Sequence, residues 1–170
     1  MLCELYEHRN GLRSVSPGER MGVENLLERI NIQPGHVSTA QLKTDIRIEL
    51  TALGWSDKIF IANGSKISIT AVHGDVGLAV QFGNISRVYA DMLKLQTLYI
   101  ENKIASGIIL TPHGDLVKRL SKNGDSTDNR CTFDRIQREL PIFSKVITIP
   151  LIIYGLYTIG VGYEQFKSNV

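Results

Sequence analysis

Lys66-Ile67-Ser68-Ile69-Thr70-Ala71-Val72-His73-Gly74-Asp75-Val76-Gly77-Leu78-Ala79-Val80-Gln81-Phe82-Gly83-Asn84 alternates apolar with small or polar residues on both sides of a tight Val72-His73-Gly74-Asp75 turn. Period-two alternation around a turn signals a β-hairpin, with strands expected over 66–72 and 75–82. Side chains of a strand alternate between faces, so parity sorts them. Ile67, Ile69, Leu78, Val80 and Phe82 form one apolar face. Lys66, Ser68, Thr70, Gly77, Ala79 and Gln81 form the other. With the turn centred on His73-Gly74, Ser68 lies opposite Ala79 and Thr70 is two residues along. The expectation is a small-to-polar patch of Ser68, Thr70, Ala79 and Gln81. Such a patch is either a solvent-facing sheet surface or the floor of a site.

Outward from the hairpin, Val88, Met92, Leu95 and Tyr99 share one face of a helix expected over 86–102. Ile104 to Leu110 is a continuous apolar run, as in a central strand buried on both faces. Toward the N-terminus, Lys58 to Ala62 reads as a strand ended by the turn pair Asn63-Gly64. Leu42, Ile46, Leu50 and Leu53 form the stripe of a helix from Ser38 or Thr39 to Leu53, stopped at Gly54. Ser16-Pro17-Gly18-Glu19 carries a helix-start signature. That helix runs to about Ile30 and breaks over 31–35. Residues 1–12 suit a strand or a short helix. Beyond 110, a helix through Leu116 to Leu120, a polar loop over 121–129, a short helix from Phe133 to Leu140 and a buried strand from Val146 to Tyr154 follow. The order α, α, β, β, β, α, β, α, α, β predicts an α/β fold: a mixed sheet flanked by helices, in one domain over 1–170.

At 170 residues the chain is long enough to bury a core, and 43% hydrophobic with 21% charged residues is ordinary for a globular protein. A net charge of +2 announces no nucleic-acid partner, although a local basic surface remains open. Cys3 and Cys131 match no metal-ligand spacing and fit a reducing, cytoplasmic setting. The charged start, with Glu4, Glu7 and Arg9 in the first ten residues, is unlike a secretory signal. The apolar run Val146–Val161 contains Pro150, Gly155 and Gly160 and is shorter than the roughly 20 residues of a membrane span, so no membrane is expected. No P-loop, zinc spacing or dinucleotide fingerprint occurs. His73 and His113 are lone turn histidines, outside any Ser-His-Asp or Cys-His arrangement.

The strand pair and the helix after it resemble the catalytic core of the BglII/BstYI-type restriction endonucleases of the PD-(D/E)xK superfamily. There the returning strand reads Glu-x-Gln-Phe-Gly, with an Asp nine residues before the Glu. Gln81-Phe82-Gly83 match, while Ala79 stands at the Glu position and Thr70, nine residues earlier, at the Asp position. Tyr6-x-His8-x-Asn10-Gly11, Leu53-Gly54-Trp55, Tyr89-x-Asp91-x-x-x-Leu95 and Ile109-Leu110-Thr111-Pro112 also have counterparts, so the likeness covers most of the chain. The resemblance implies a restriction-endonuclease-like fold, a homodimer on double-stranded DNA, and Mg²⁺ held by carboxylates facing the scissile phosphate.

Mg²⁺ is a hard ion usually held by one or two carboxylates. Ser68, Thr70 and Gln81 supply neutral oxygens only, and Asp75 lies about 13 Å of strand from Ala79. Asp45 and Glu49, spaced i, i+4 on the second helix, share a face and are candidate substitute acids, or simply part of a solvated helix surface. For DNA contact, Asn84, Ser86 and Arg87 open the long helix, where backbone N–H groups favour phosphate, and Lys66 opens the first hairpin strand. Helix capping by Asn84 or Ser86 is the plainer reading of the same residues. Lys118, Arg119, Lys122 and Arg130 form a second basic group. Three functions stay open: a DNA-binding protein with a degenerate Mg²⁺ phosphodiesterase site, an endonuclease with relocated acids at Asp45 or Glu49, or an interaction protein that kept only the fold.

Overall fold

The computed structural model describes residues 2–30, 38–120 and 129–157, apart from the side chains of 118–120. A five-stranded sheet has the order β1 (Leu2–His8), β7 (Leu151–Tyr157), β6 (Ser106–Pro112), β5 (Val76–Val80), β4 (Ala71–His73). β5, β6 and β7 are mutually parallel, and β1 and β4 pair antiparallel at the two edges. All seven residues of β6 are buried, as its unbroken apolar run requires. β2 (Ile59–Phe60) and β3 (Ser68–Ile69) form a separate two-stranded ribbon.

Helices cover both faces. On one side lie α2 (Pro17–Arg29) and α3 (Thr39–Ala52), whose Val23, Leu26, Leu42, Ile46 and Leu50 pack with Leu78, Ile108, Leu110, Ile152 and Tyr154. On the other lie α4 (Ile85–Ile100) and α6 (Phe133–Glu139), whose Met92, Leu95, Phe133 and Ile136 pack with Ala79, Ile109, Leu151 and Ile153. Alternate residues of β5, β6 and β7 thus feed opposite cores. The short α1 (Gly11–Ser14) and α5 (Gly114–Leu120) complete the α-helices among the described residues, and a 3₁₀ turn over Leu140–Phe143 follows α6. The predicted capping box forms: Glu19 N–H donates to Ser16 Oγ (3.2 Å), and Ser16 N–H to the Glu19 carboxylate (3.3 Å). Such a cap is worth about 1 kcal/mol.

Several expectations need correction. Residues 2–8 form a strand, one of the two readings open for 1–12, and add a β element ahead of the expected order. The strand expected from Val146 starts at Leu151, because Pro150 has no N–H to give the ladder. The strand expected over 58–62 is confined to the ribbon. The break over 31–35, most of the loop over 121–129 and residues 158–161 lie outside the described residues. No helix among the described residues is long and apolar enough to cross a membrane.

The hairpin departs from its expected register in two ways. Pairs Ala71–Leu78, Val72–Gly77 and His73–Val76 centre the turn on Gly74-Asp75, with a glycine at the first loop position as primed turns favour. The strand expected over 66–72 also breaks at Thr70. Thr70 N–H donates to Leu78 O (3.1 Å), although Leu78 is already the partner of Ala71. Two residues against one is the count of a β-bulge, and one extra residue inverts every side chain beyond it. Ile69 accordingly packs in the core that holds Ala79, not with Leu78 and Val80, and Ile67 is 57% exposed.

Candidate functional site

The bulge aims Thr70 into a cleft of about 440 Å³ at the C-terminal end of β5. Ser68, Ile69 and Thr70 line it from the first hairpin strand, Val80 and Gln81 from the second, Lys43 and Arg47 from α3, and Asp91 from α4. Three of the four predicted patch residues, Ser68, Thr70 and Gln81, therefore meet in one cleft. Ala79 is not among its lining residues and is 1% exposed, packed under α4. The same strand face carries Gly77, where an added Cβ would come 2.7 Å from Leu95 Cδ2. What parity suggested as an open polar patch is, over 77–79, a small-residue surface that lets α4 approach the sheet. Only Gln81 reaches past it.

Gln81 is held at three points. Its backbone N–H donates to Leu110 O (2.9 Å), its Oε1 accepts Gly83 N–H (2.9 Å), and its Nε2 donates to Asp91 Oδ2 (2.9 Å). Asp91 also accepts from Lys94 Nζ at 2.6 Å. Thr70 Oγ1 accepts the Val80 N–H (3.0 Å). The cleft's polar wall is thus locked before any ligand arrives. On the α3 side, Arg47 pairs with Asp57 (3.0 Å), and Lys58 lies over the Phe60 ring at 5.4 Å. Lys43 makes no ion pair with a described carboxylate. Burial holds its ammonium below the usual lysine range; the Asp91 charge opposes that shift and Arg87 adds to it.

Several sequence candidates lie elsewhere. Glu49 faces α2 and reaches Arg29 at 3.8 Å, and Asp45 accepts from Gln41 (2.7 Å); neither lines the cleft. Asn84 caps α4, its Oδ1 accepting from Ser86 N–H (2.8 Å) and Ser86 Oγ (2.9 Å). Asp75 sits in the turn, and its carbonyl accepts from Ala105 N–H (2.7 Å). Lys66 is exposed and outside the lining. His73 pairs with Glu19 (3.3 Å) and His113 with Asp134 (3.0 Å), so neither histidine is isolated. Of the second basic group, Lys122 and the side chains of Lys118 and Arg119 lie outside the described residues. Sequence reasoning missed Lys43, Arg47, Lys58 and Asp91 as cleft residues. The i, i+4 spacing of Lys43 and Arg47 beside the apolar stripe was the available signal.

The donor set does not suit Mg²⁺. Asp91 is the one carboxylate against the inner wall, and both its oxygens are engaged, one by an ammonium. Asp57 is the other lining acid, paired to Arg47. No group of three or more His, Cys, Asp or Glu side chains that could hold a metal occurs among the described residues.

The fold is shared with the restriction endonuclease BglII. The structure of BglII complexed with a DNA 16-mer matches with a TM-score of 0.76 at 16% identity, over 92% of this chain and 76% of that one. Free BglII matches with a TM-score of 0.68 at 17% identity, over 92% and 80%. No curated protein matches by sequence. The family model for restriction endonuclease BglII/BglIII matches residues 3–156. A match over nearly the whole sequence, on the fold those two structures share, means that the chain belongs to the BglII/BglIII restriction endonuclease family.

Proposed function

We propose that the protein is a duplex-DNA-binding member of this family whose Mg²⁺-dependent phosphodiesterase site is degenerate. The observation that carries the reading is the cleft itself. Ser68, Thr70 and Gln81 meet at the end of β5 in a cleft that three cationic side chains, Lys43, Arg47 and Lys58, also line. Neutral oxygens and cations favour holding a phosphodiester. Hydrolysis through a metal-activated water needs a seat for the metal, and the engaged Asp91 is a poor one. We include in the proposal a single domain, a homodimer in which two clefts address the two strands, and a cytoplasmic setting. BglII, whose DNA complex has this fold, supports the choice of duplex DNA over a protein partner.

Duplex binding should appear in a band shift at low salt and fall steeply as salt rises, since neutralised phosphates release counterions. Arg87→Ala, at the exposed start of α4, should weaken binding across sequences and reduce the salt slope by about one. An absence of duplex binding at low salt would move the protein to the interaction-protein class.

A further inference from the structure

We propose that the cleft grips a backbone phosphate directly on the Lys43 ammonium, with no divalent ion between protein and phosphate. The inference rests on the DNA-binding reading and specifies how that site works. Lys43, on α3, lines the cleft together with Gln81 and Asp91, half-buried and without an ion-pair partner among the described residues. Arg47, one turn along α3, and Lys94, on α4, each have one, in Asp57 and Asp91. A partly desolvated cation left unpaired is costly in the free protein, and an arriving anion removes that cost. The nearest carboxylate, Asp91, is already held by Gln81 and Lys94, so it neither rotates to neutralise Lys43 nor offers a metal an open pair of oxygens. The Arg87 charge adds to the strain on the Lys43 ammonium, which an arriving anion relieves. Ser68 also lines the cleft, and its Oγ can donate to a phosphate oxygen.

The test is fluorescence anisotropy of a short mixed-sequence duplex at low salt, with EDTA and with Mg²⁺, for wild type, Lys43→Gln, Lys43→Arg and Arg29→Gln. Wild type should bind in EDTA at least as tightly as in Mg²⁺, which competes for the phosphates as a counterion. Lys43→Gln should weaken binding about tenfold or more in both, the loss of one charge-assisted contact, and flatten the salt slope by about one. Lys43→Arg should retain most of the affinity. Arg29→Gln, whose partner Glu49 lies outside the cleft, should bind as wild type. Thermal melts confirm that each variant is folded. Duplex binding that requires Mg²⁺, or that survives Lys43→Gln unchanged, overturns the direct grip and leaves DNA binding standing. Failure of wild type to bind duplex under any of these conditions overturns both.

Discussion

Thr70→Asp combined with Ala79→Glu should make thermal stability depend on Mg²⁺, which wild-type stability should not do. Thr70 already aims its side chain into the cleft and takes the Val80 N–H (3.0 Å), a contact an Asp carboxylate can keep. A Glu at 79 starts two residues before Gln81 on the same strand face and must extend from a buried position under α4. Without metal, two like charges and a desolvated carboxylate penalise the fold, so the double variant should melt below wild type. With metal, the pair supplies the carboxylates that octahedral Mg²⁺ needs. At a hundredfold excess over Kd, binding returns about 2.7 kcal/mol, or roughly 5 to 10 °C for a chain of this size. Each single variant should show little of this response. Differential scanning with and without Mg²⁺ reads the outcome. A double variant indifferent to Mg²⁺ would mean that positions 70 and 79 do not converge on one site.

Gly11→Ala should be among the most damaging single-methyl changes in the protein. A Cβ at Gly11 would sit 2.1 Å from Leu151 O and 2.4 Å from Leu151 C, against backbone at the start of β7. Backbone of a strand paired on both sides cannot rotate away as a side chain tip can. Overpacking of this kind costs about 3 kcal/mol or more, a fall on the order of 10 °C in Tm. Gly22→Ala is the matched control. It lies inside α2 with nothing within 4 Å of the added Cβ, and should stabilise by roughly 0.5 to 1 kcal/mol. Thermal melts of the two variants should therefore move in opposite directions. Wild-type stability in Gly11→Ala would contradict the close approach of α1 to β7.

The elements that could be read from the amino acids are those whose burial is set by one periodicity. The stripe of α4, the two-sided apolarity of β6 and the Ser16–Glu19 cap each state their surroundings locally. The Thr70 bulge does not, because one extra residue leaves the alternation on each side intact and only reverses their relation. Ile69 thus sits on the Ala79 side although it matches the period of Val80. The cleft was half visible. Ser68, Thr70 and Gln81 follow from the hairpin, but Lys43 and Arg47 depend on which flank of α3 turns toward the sheet end, a matter of helix packing. Asp91 enters the sequence reading only through the Tyr89–Leu95 resemblance. Its burial against Gln81 is a tertiary fact, created by Gly77 and Ala79 drawing α4 close.

Incubation of the purified wild-type protein with DNA of high sequence complexity, in Mg²⁺ and in Mn²⁺, at concentrations where a parallel band shift shows the duplex bound, bears most directly on the proposal that the hydrolytic site is degenerate. The DNA should remain intact and uncleaved while bound. Metal-dependent fragments from the wild type, lost in Asp91→Asn or Glu49→Gln, would contradict it and show that the hydrolytic acids have moved rather than disappeared.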